Sequence, residues 1–267
     1  MADGNVNTQQ APYIPKTEPA PGSRISHAVA VLSGKGGVGK SFTASYLAVS
    51  LQRKGYKVGI LDADVTGPSI PYAFNVKGPI VGTADCFYPA KSKTGIQIIS
   101  SNLLLSSPDD PIVWRGPMIS TLVEQFYNEV VWDVDYLLID MPPGTSDVSL
   151  TIFQKIPLSS CILVSTPQTL VDMIVEKSAK MAELLQVPLL SYVENMAYVV
   201  CPDCGRRIDI YGDNSSNIAK EHGIYVYEQI PFDSEITKHM DAGDVESLDV
   251  PYLGQTVEEI INVSNIG

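Results

Sequence analysis

The chain has 267 residues, 45% hydrophobic and 18% charged, which suits one large globular domain or two small ones with a substantial core. Its 30 acidic and 18 basic residues give a net charge of −12, with no Lys/Arg run to offer nucleic acid a basic face. No apolar run approaches the roughly 20 residues of a membrane span, and "MADGNVNTQQ" lacks the basic and apolar regions of a signal peptide. The reading is a cytoplasmic protein with neither nucleic acid nor membrane as partner.

Residues 1–25, with four prolines and no apolar period, read as a disordered N-terminal arm. Residues 26–267 read as one domain. "AVAVLS" (28–33) is a short, almost continuous apolar run, as expected of a strand buried on both faces. A helical pattern follows over 41–55, closed by Gly55, and then a strand at "KVGILD" (57–62). Further strands are expected at 96–100, 136–140, 161–165, 189–195 and 224–230, with helical patterns at 117–130, 169–186 and 215–222. This alternation predicts an α/β fold, a mostly parallel β-sheet with helices on both faces. Such sheets bind ligands at the C-terminal ends of their strands.

The first such end carries "GKGGVGKS", Gly34 to Ser41, which matches G-x-x-x-x-G-K-[ST] between a strand and a helix. Glycines let the loop curl until its N–H groups point at phosphate oxygens, and the helix N-terminus favours negative charge. The motif makes this a P-loop NTPase-type sheet. Its expected nucleotide-binding set is Gly34, Lys35, Gly36, Gly37, Val38, Gly39, Lys40, Ser41 and Phe42. Lys40 would neutralise the β- and γ-phosphates, and the Ser41 hydroxyl would hold Mg²⁺.

Asp62 and Asp64 in "LDADVTGPSIP" and Asp140 in "DYLLIDMPPGTSD" all end strands. Their carboxylates, with Ser41, could hold Mg²⁺ directly or through water; Asp64 is the candidate for activating the attacking water. Read singly, each is equally a helix cap or turn residue. Gly144, in the Pro/Gly-rich segment after Asp140, could present its N–H to a γ-phosphate and move on hydrolysis.

A plain phosphate loop does not require Lys35. With it, the motif resembles the deviant Walker A class of MinD, ParA and nitrogenase iron proteins. That resemblance implies that Lys35 reaches the phosphates of a partner subunit in a nucleotide-sandwiched homodimer, so the catalytic set is Lys35, Lys40 and Asp64. It also implies that Asn195 in "ENM" reads the adenine base, which an amide suits by donating and accepting together.

Four cysteines over this length do not make a cytosolic disulfide framework. Cys201 and Cys204 in "CPDCG" form a close pair able to hold one soft metal centre in a loop at about 197–212. Cys161 opens an apolar strand and reads as a small buried hydrophobe, and Cys86 has no evident partner. Two thiolates are half of a tetrahedral set, so the economical arrangement is a two-fold dimer contributing the pair twice. Cys₄ serves Zn²⁺ and [4Fe–4S] alike, and an unmetallated redox pair is a third reading.

In order along the chain, "LDADVTGPSIP", "WRGPM" (114–118), "DYLLIDMPPGTSD", "VSTPQ" (164–168) and "VENMAYVVCPDCG" resemble the Mrp/Nbp35/ApbC family of iron–sulfur cluster carrier ATPases over about residues 27–240. The resemblance implies slow ATP hydrolysis, a labile [4Fe–4S] cluster across a homodimer, and apo iron–sulfur clients and cluster-assembly proteins as partners. Two features depart from it: the N-terminal arm has no cysteine, and "YGDNSSNIA" (211–219) stands where many members have a glycine-rich tract. The competing reading is a MinD/ParA-type positioning or regulatory ATPase with structural zinc at its interface; the Lys/Arg-free terminus "PYLGQTVEEIINVSNIG" argues against its membrane- or DNA-bound forms.

Overall fold

A strand buried on both faces needs apolar side chains at consecutive positions, and residues 28–32 supply them. Ala28, Ala30 and Leu32 pack into one core, Val29 and Val31 into another, as the period of two requires. The computed structural model describes residues 15–65, 67–83, 86–104, 116–211 and 218–264. The first half runs β1 (Arg24–Ser33), α1 (Lys40–Arg53), β2 (Val58–Asp62), α2 (Ile70–Ala73), β3 (Val81–Gly82), β4 (Phe87–Tyr88), β5 (Ala90–Lys91), β6 (Gln97–Ile99) and α3 (Gly116–Asn128). Next come β7 (Asp133–Asp140), α4 (Asp147–Lys155), β8 (Ser160–Ser165), α5 (Thr169–Leu184) and β9 (Leu189–Glu194). The chain ends with β10 (Val199–Val200), β11 (Arg207–Ile208), α6 (Ile218–Glu221), β12 (Val226–Gln229), α7 (Ser234–Ala242) and α8 (Gly254–Ser264).

Eight strands form one sheet in the order β12-β9-β8-β1-β7-β2-β6-β5, parallel except at the β5–β6 edge. One face is covered by α3, α4 and α5 through Val123, Phe126, Ile152, Phe153, Ala179 and Ala182. The other is covered by α1, α2 and α8 through Leu47, Leu51, Ile70, Val257 and Ile260. This is the α/β P-loop NTPase-type sheet the alternation predicts. Each predicted strand of the parallel sheet forms, β1 and β7 starting earlier than their apolar runs.

Besides the four-residue α2, three helices among the described residues carry no signal in the prediction. One, α4, starts just beyond Pro142, Pro143 and Gly144, where turn residues mask the helical period; Ser146 caps it by accepting the Ser149 N–H at 3.3 Å. The others are α7 and α8. The predicted helix at 215–222 is described only as α6, because 212–217 lie outside the described residues.

The arm is corrected in part. Its first 14 residues lie outside the described chain, but the stretch from residue 15 to β1 is laid against the body. Lys16 Nζ donates to the carbonyls of Phe153 (2.7 Å) and Ile156 (3.2 Å), and the Thr17 N–H to that of Lys155 (2.7 Å). The last carbonyls of a helix have no intrahelical donor, so the end of α4 offers a polar dock that an apolar-period search cannot find.

A second polar clamp joins α5 to the end of α6. His222 places Nε2 2.6 Å from Glu176 and Nδ1 2.5 Å from Glu183, with Lys180 2.8 Å from Glu176. Burial pulls the His222 pKa down, but the two carboxylates outweigh it, leaving it raised above 6.5. Its hydrogen bonds hold Glu176 below the ordinary carboxylate value. A raised imidazolium stabilises the fold fully below its unfolded pKa and loses this as pH rises through the folded one; a depressed carboxylate loses its share as pH falls. The stability advantage of wild type over His222→Gln in thermal unfolding is therefore expected to be largest at about pH 6 and to shrink on both sides.

Candidate nucleotide and metal site

The parallel register brings strand ends together. Asp62 and Asp140 are Cα partners on β2 and β7, and Ser33 ends β1 beside β7 and β8. Beyond these ends the P-loop turns into α1 through Gly37 (φ 78°) and Gly39 (φ 85°), the left-handed backbone that favours glycine. The loop lines a cavity of about 410 Å³ with Lys35, Lys40, Ser41, Phe42 and Asp64, joined by Pro143, Met196 and Met240.

Inside it Lys40 Nζ donates to Asp140 Oδ1 at 2.5 Å, and Ser41 Oγ to Oδ2 at 2.6 Å. Asp140 is fully buried and Lys40 nearly so. Asp62 is also fully buried, accepting from Ser100 Oγ (3.0 Å) and the Asp64 N–H (3.2 Å). Burial, reinforced by the Asp140 charge, pushes the Asp62 carboxyl well above the ordinary carboxylate range. One lysine thus sits beside two buried carboxyls. The donor set of Ser41 hydroxyl and Asp140 carboxylate is that of a hard, oxygen-preferring divalent ion. Of the three aspartates singled out by sequence, Asp64 lines the cavity, while Asp62 and Asp140 support it from behind.

Asn195 lies under the loop. Its Nδ2 donates to the Val38 carbonyl at 2.9 Å, and a Cβ on Gly39 would stand 2.0 Å from that nitrogen. Gly39→Ala is therefore expected to lower stability by about 1–3 kcal/mol and to expel the Asn195 amide from Val38. Thermal unfolding and nucleotide titration read the two effects.

Like Asn195, whose amide is spent on Val38, two further residues are engaged differently from the sequence expectation. The Gly144 N–H donates to the Ser33 carbonyl at 2.8 Å, so it would have to leave that bond to meet a phosphate. Lys35 Nζ donates to Gln168 Oε1 at 2.6 Å within its own chain, and Gln168 Nε2 to Tyr211 Oη at 3.2 Å. Sequence reasoning missed Gln168 as a lysine partner, although it ends the quoted "VSTPQ". It missed Met240 for want of any local signal, since α7 lies some 200 residues from the P-loop. Trp114 and Arg115 lie outside the described residues.

The cysteine pair sits in the turn of the antiparallel β10–β11 hairpin, with Val199 opposite Ile208 and Val200 opposite Arg207. The Cys201 N–H donates to the Arg206 carbonyl and the Gly205 N–H to that of Cys201, both at 2.9 Å, with Gly205 at φ 70°. This tight turn aims the N–H groups of Cys204 and Asp203 at the Cys201 sulfur, which lowers its pKa. Cys204 is exposed and Cys201 half-buried. Among the described residues, no group of three or more His, Cys, Asp or Glu converges as a metal site. Cys161 is fully buried, its thiol pKa raised by burial, as its apolar strand predicts. No helix among the described residues is long and apolar enough to cross a membrane.

A family model described as "ParA: NUBPL iron-transfer P-loop NTPase" matches residues 24–263. Iron-sulfur cluster carrier proteins of Clostridium perfringens and Methanocaldococcus jannaschii are each 43% identical, over 232 and 226 residues. Both alignments cover 83% of this chain, with 81% and 78% of the respective relatives. A nucleotide-binding protein of Archaeoglobus fulgidus, solved in complex with ADP, superposes with a TM-score of 0.77 at 39% identity, covering 86% of this chain and 91% of its own. The Pyrococcus furiosus cell division ATPase MinD shares the fold at 18% identity, with a TM-score of 0.63 over 89% of this chain and 99% of its own.

Proposed function

Because the chain belongs to the ParA/NUBPL iron-transfer P-loop NTPase family, we propose that it is an ATP-hydrolysing homodimer that carries a [4Fe–4S] cluster and delivers it to apoproteins. The observation that carries this is the CPDCG turn: two thiols close together on an exposed hairpin, with backbone N–H groups of the turn aimed at the Cys201 sulfur and lowering its pKa. A second copy of the same hairpin completes four ligands. The cargo is then held at the surface and half-owned by each chain, as transfer demands.

At the P-loop, the backbone from Gly34 to Ser41 cradles the phosphates and Lys40 offsets their charge. Asp64, on the cavity wall, orients a water and accepts its proton as the new P–O bond forms and the bond to ADP breaks. Ser41 and Asp140 would hold Mg²⁺, which when bound neutralises charge on the phosphates; Asp62 and Asp64 complete its polar surround. Lys35, held by Gln168 within one chain, would exchange this partner for the phosphates of a second copy. Asn195 would read adenine.

Anaerobic reconstitution with iron and sulfide tests the reading. About four iron atoms per two chains are expected, with the Mössbauer signature of a [4Fe–4S] cluster and transfer to an apo-acceptor. Stoichiometric Zn²⁺ binding without cluster formation would instead identify a structural zinc staple and sink the carrier assignment.

A further inference from the structure

Glu194 and Asn195 are neighbours at the end of β9, and their side chains diverge because strand positions alternate. Asn195 reaches the P-loop at Val38. Glu194, only 1% exposed, reaches β12: its Oε2 accepts from Tyr227 Oη (2.6 Å) and Gln229 Nε2 (2.7 Å). Gln229 uses the other end of its amide, Oε1 accepting from an Arg207 guanidinium nitrogen at 2.9 Å. Arg207 opens the second strand of the cysteine hairpin and lies 4.0 Å over the Tyr198 ring at the hairpin's base. Its neighbour Arg206 accepts the Cys201 N–H. Direct contacts therefore connect the carbonyl of Val38 to the strand that closes the cysteine turn.

This connection is not what stability alone would select. Glu194 Oε1 is buried without a hydrogen-bond partner among the described residues, and the other oxygen is served only by neutral donors. A buried polar oxygen left without a partner destabilises the fold relative to an apolar side chain of the same shape. Gln229, in contrast, has both ends of its amide committed, so its orientation cannot change without moving one of its partners.

Building on the reading of a nucleotide-regulated carrier, we propose that Glu194 and Gln229 are positioning residues that couple the pose of the CxxC hairpin to the state of the P-loop. A base that draws the Asn195 amide away from Val38 shifts the end of β9 and, with it, Glu194. Gln229 conveys that shift to Arg207 and the cysteine turn. Nucleotide thus regulates the hairpin through a differential contact at Val38, the condition any ligand-driven change must meet.

Hydrogen–deuterium exchange on the metal-free chain of 267 residues tests this, with and without Mg·AMPPNP. In wild type, nucleotide is expected to change exchange at the hairpin amides of Cys201 and Gly205 by about fivefold or more. Gln229→Leu cuts the connection in its middle, and Arg207→Lys cuts it at the surface while retaining charge. Both should lose the hairpin response while nucleotide still protects residues 34–41. A hairpin response persisting in both variants, or missing in wild type despite P-loop protection, would overturn the proposal. So would absent P-loop protection, which defeats the nucleotide reading itself. Because no cluster enters the measurement, failed reconstitution would remove the carrier function and leave this coupling standing.

Discussion

Lys40→Met is expected to reduce ATP hydrolysis by about 10²–10³-fold and also to destabilise the free protein. The first effect follows, on the proposed reading, from losing the cation that offsets the charge of the phosphates. The second follows from burial: Lys40 is the ion-pair partner of the fully buried Asp140, and Asp62 stands in register beside it. Removing one partner of a buried pair typically costs about 3–5 kcal/mol, because the other charge remains uncompensated. Neutralising both partners should separate the effects. Lys40→Met/Asp140→Asn is expected to regain much of the lost stability in thermal unfolding and none of the hydrolysis. If the double variant were as unstable as Lys40→Met alone, the pair would not be the source of the destabilisation. Full activity in either variant would dismiss Lys40 as the phosphate-binding lysine.

The parts of this site that sequence could announce are those made within one short segment. The P-loop is a single strand–turn–helix unit, so its glycines, Lys40 and Ser41 were legible from spacing. Asp62 and Asp140 were legible because each ends an apolar run, and a parallel sheet brings such ends together. The CxxC spacing singled out the cysteine pair, but the hairpin around it has two-residue strands, too short to display a period. What remained hidden depends on segments distant in sequence. Lys35 finds Gln168 across 133 residues, Lys16 docks on carbonyls 137 and 140 residues away, and Met240 arrives on a helix with no motif. Gly144 was legible as a turn, while its bond to the Ser33 carbonyl needed the register of the folded sheet.

Cys201→Ala alone should abolish cluster binding as completely as Cys201→Ala/Cys204→Ala. If each chain supplies two thiolates to one site on a two-fold axis, a single substitution appears twice and removes two ligands of four. The remaining pair cannot enclose a [4Fe–4S] core, so the second substitution has nothing left to remove. Such strong non-additivity is the mark of groups acting in one unit. The turn itself should survive, because its hydrogen bonds are backbone ones, from Cys201 to Arg206 and from Gly205 to Cys201. Iron and sulfide content after anaerobic reconstitution measures the loss, and unchanged nucleotide binding confirms that the sheet is intact. Cys86→Ala should reconstitute as wild type, since its thiol contacts Thr83 rather than the CxxC hairpin. Cys161→Ala should do the same at some loss of stability, because its sulfur is wholly inside the core. If Cys201→Ala retained half the wild-type iron, Cys201 would not be an obligatory ligand, and the four-thiolate site shared by two chains would have to be abandoned.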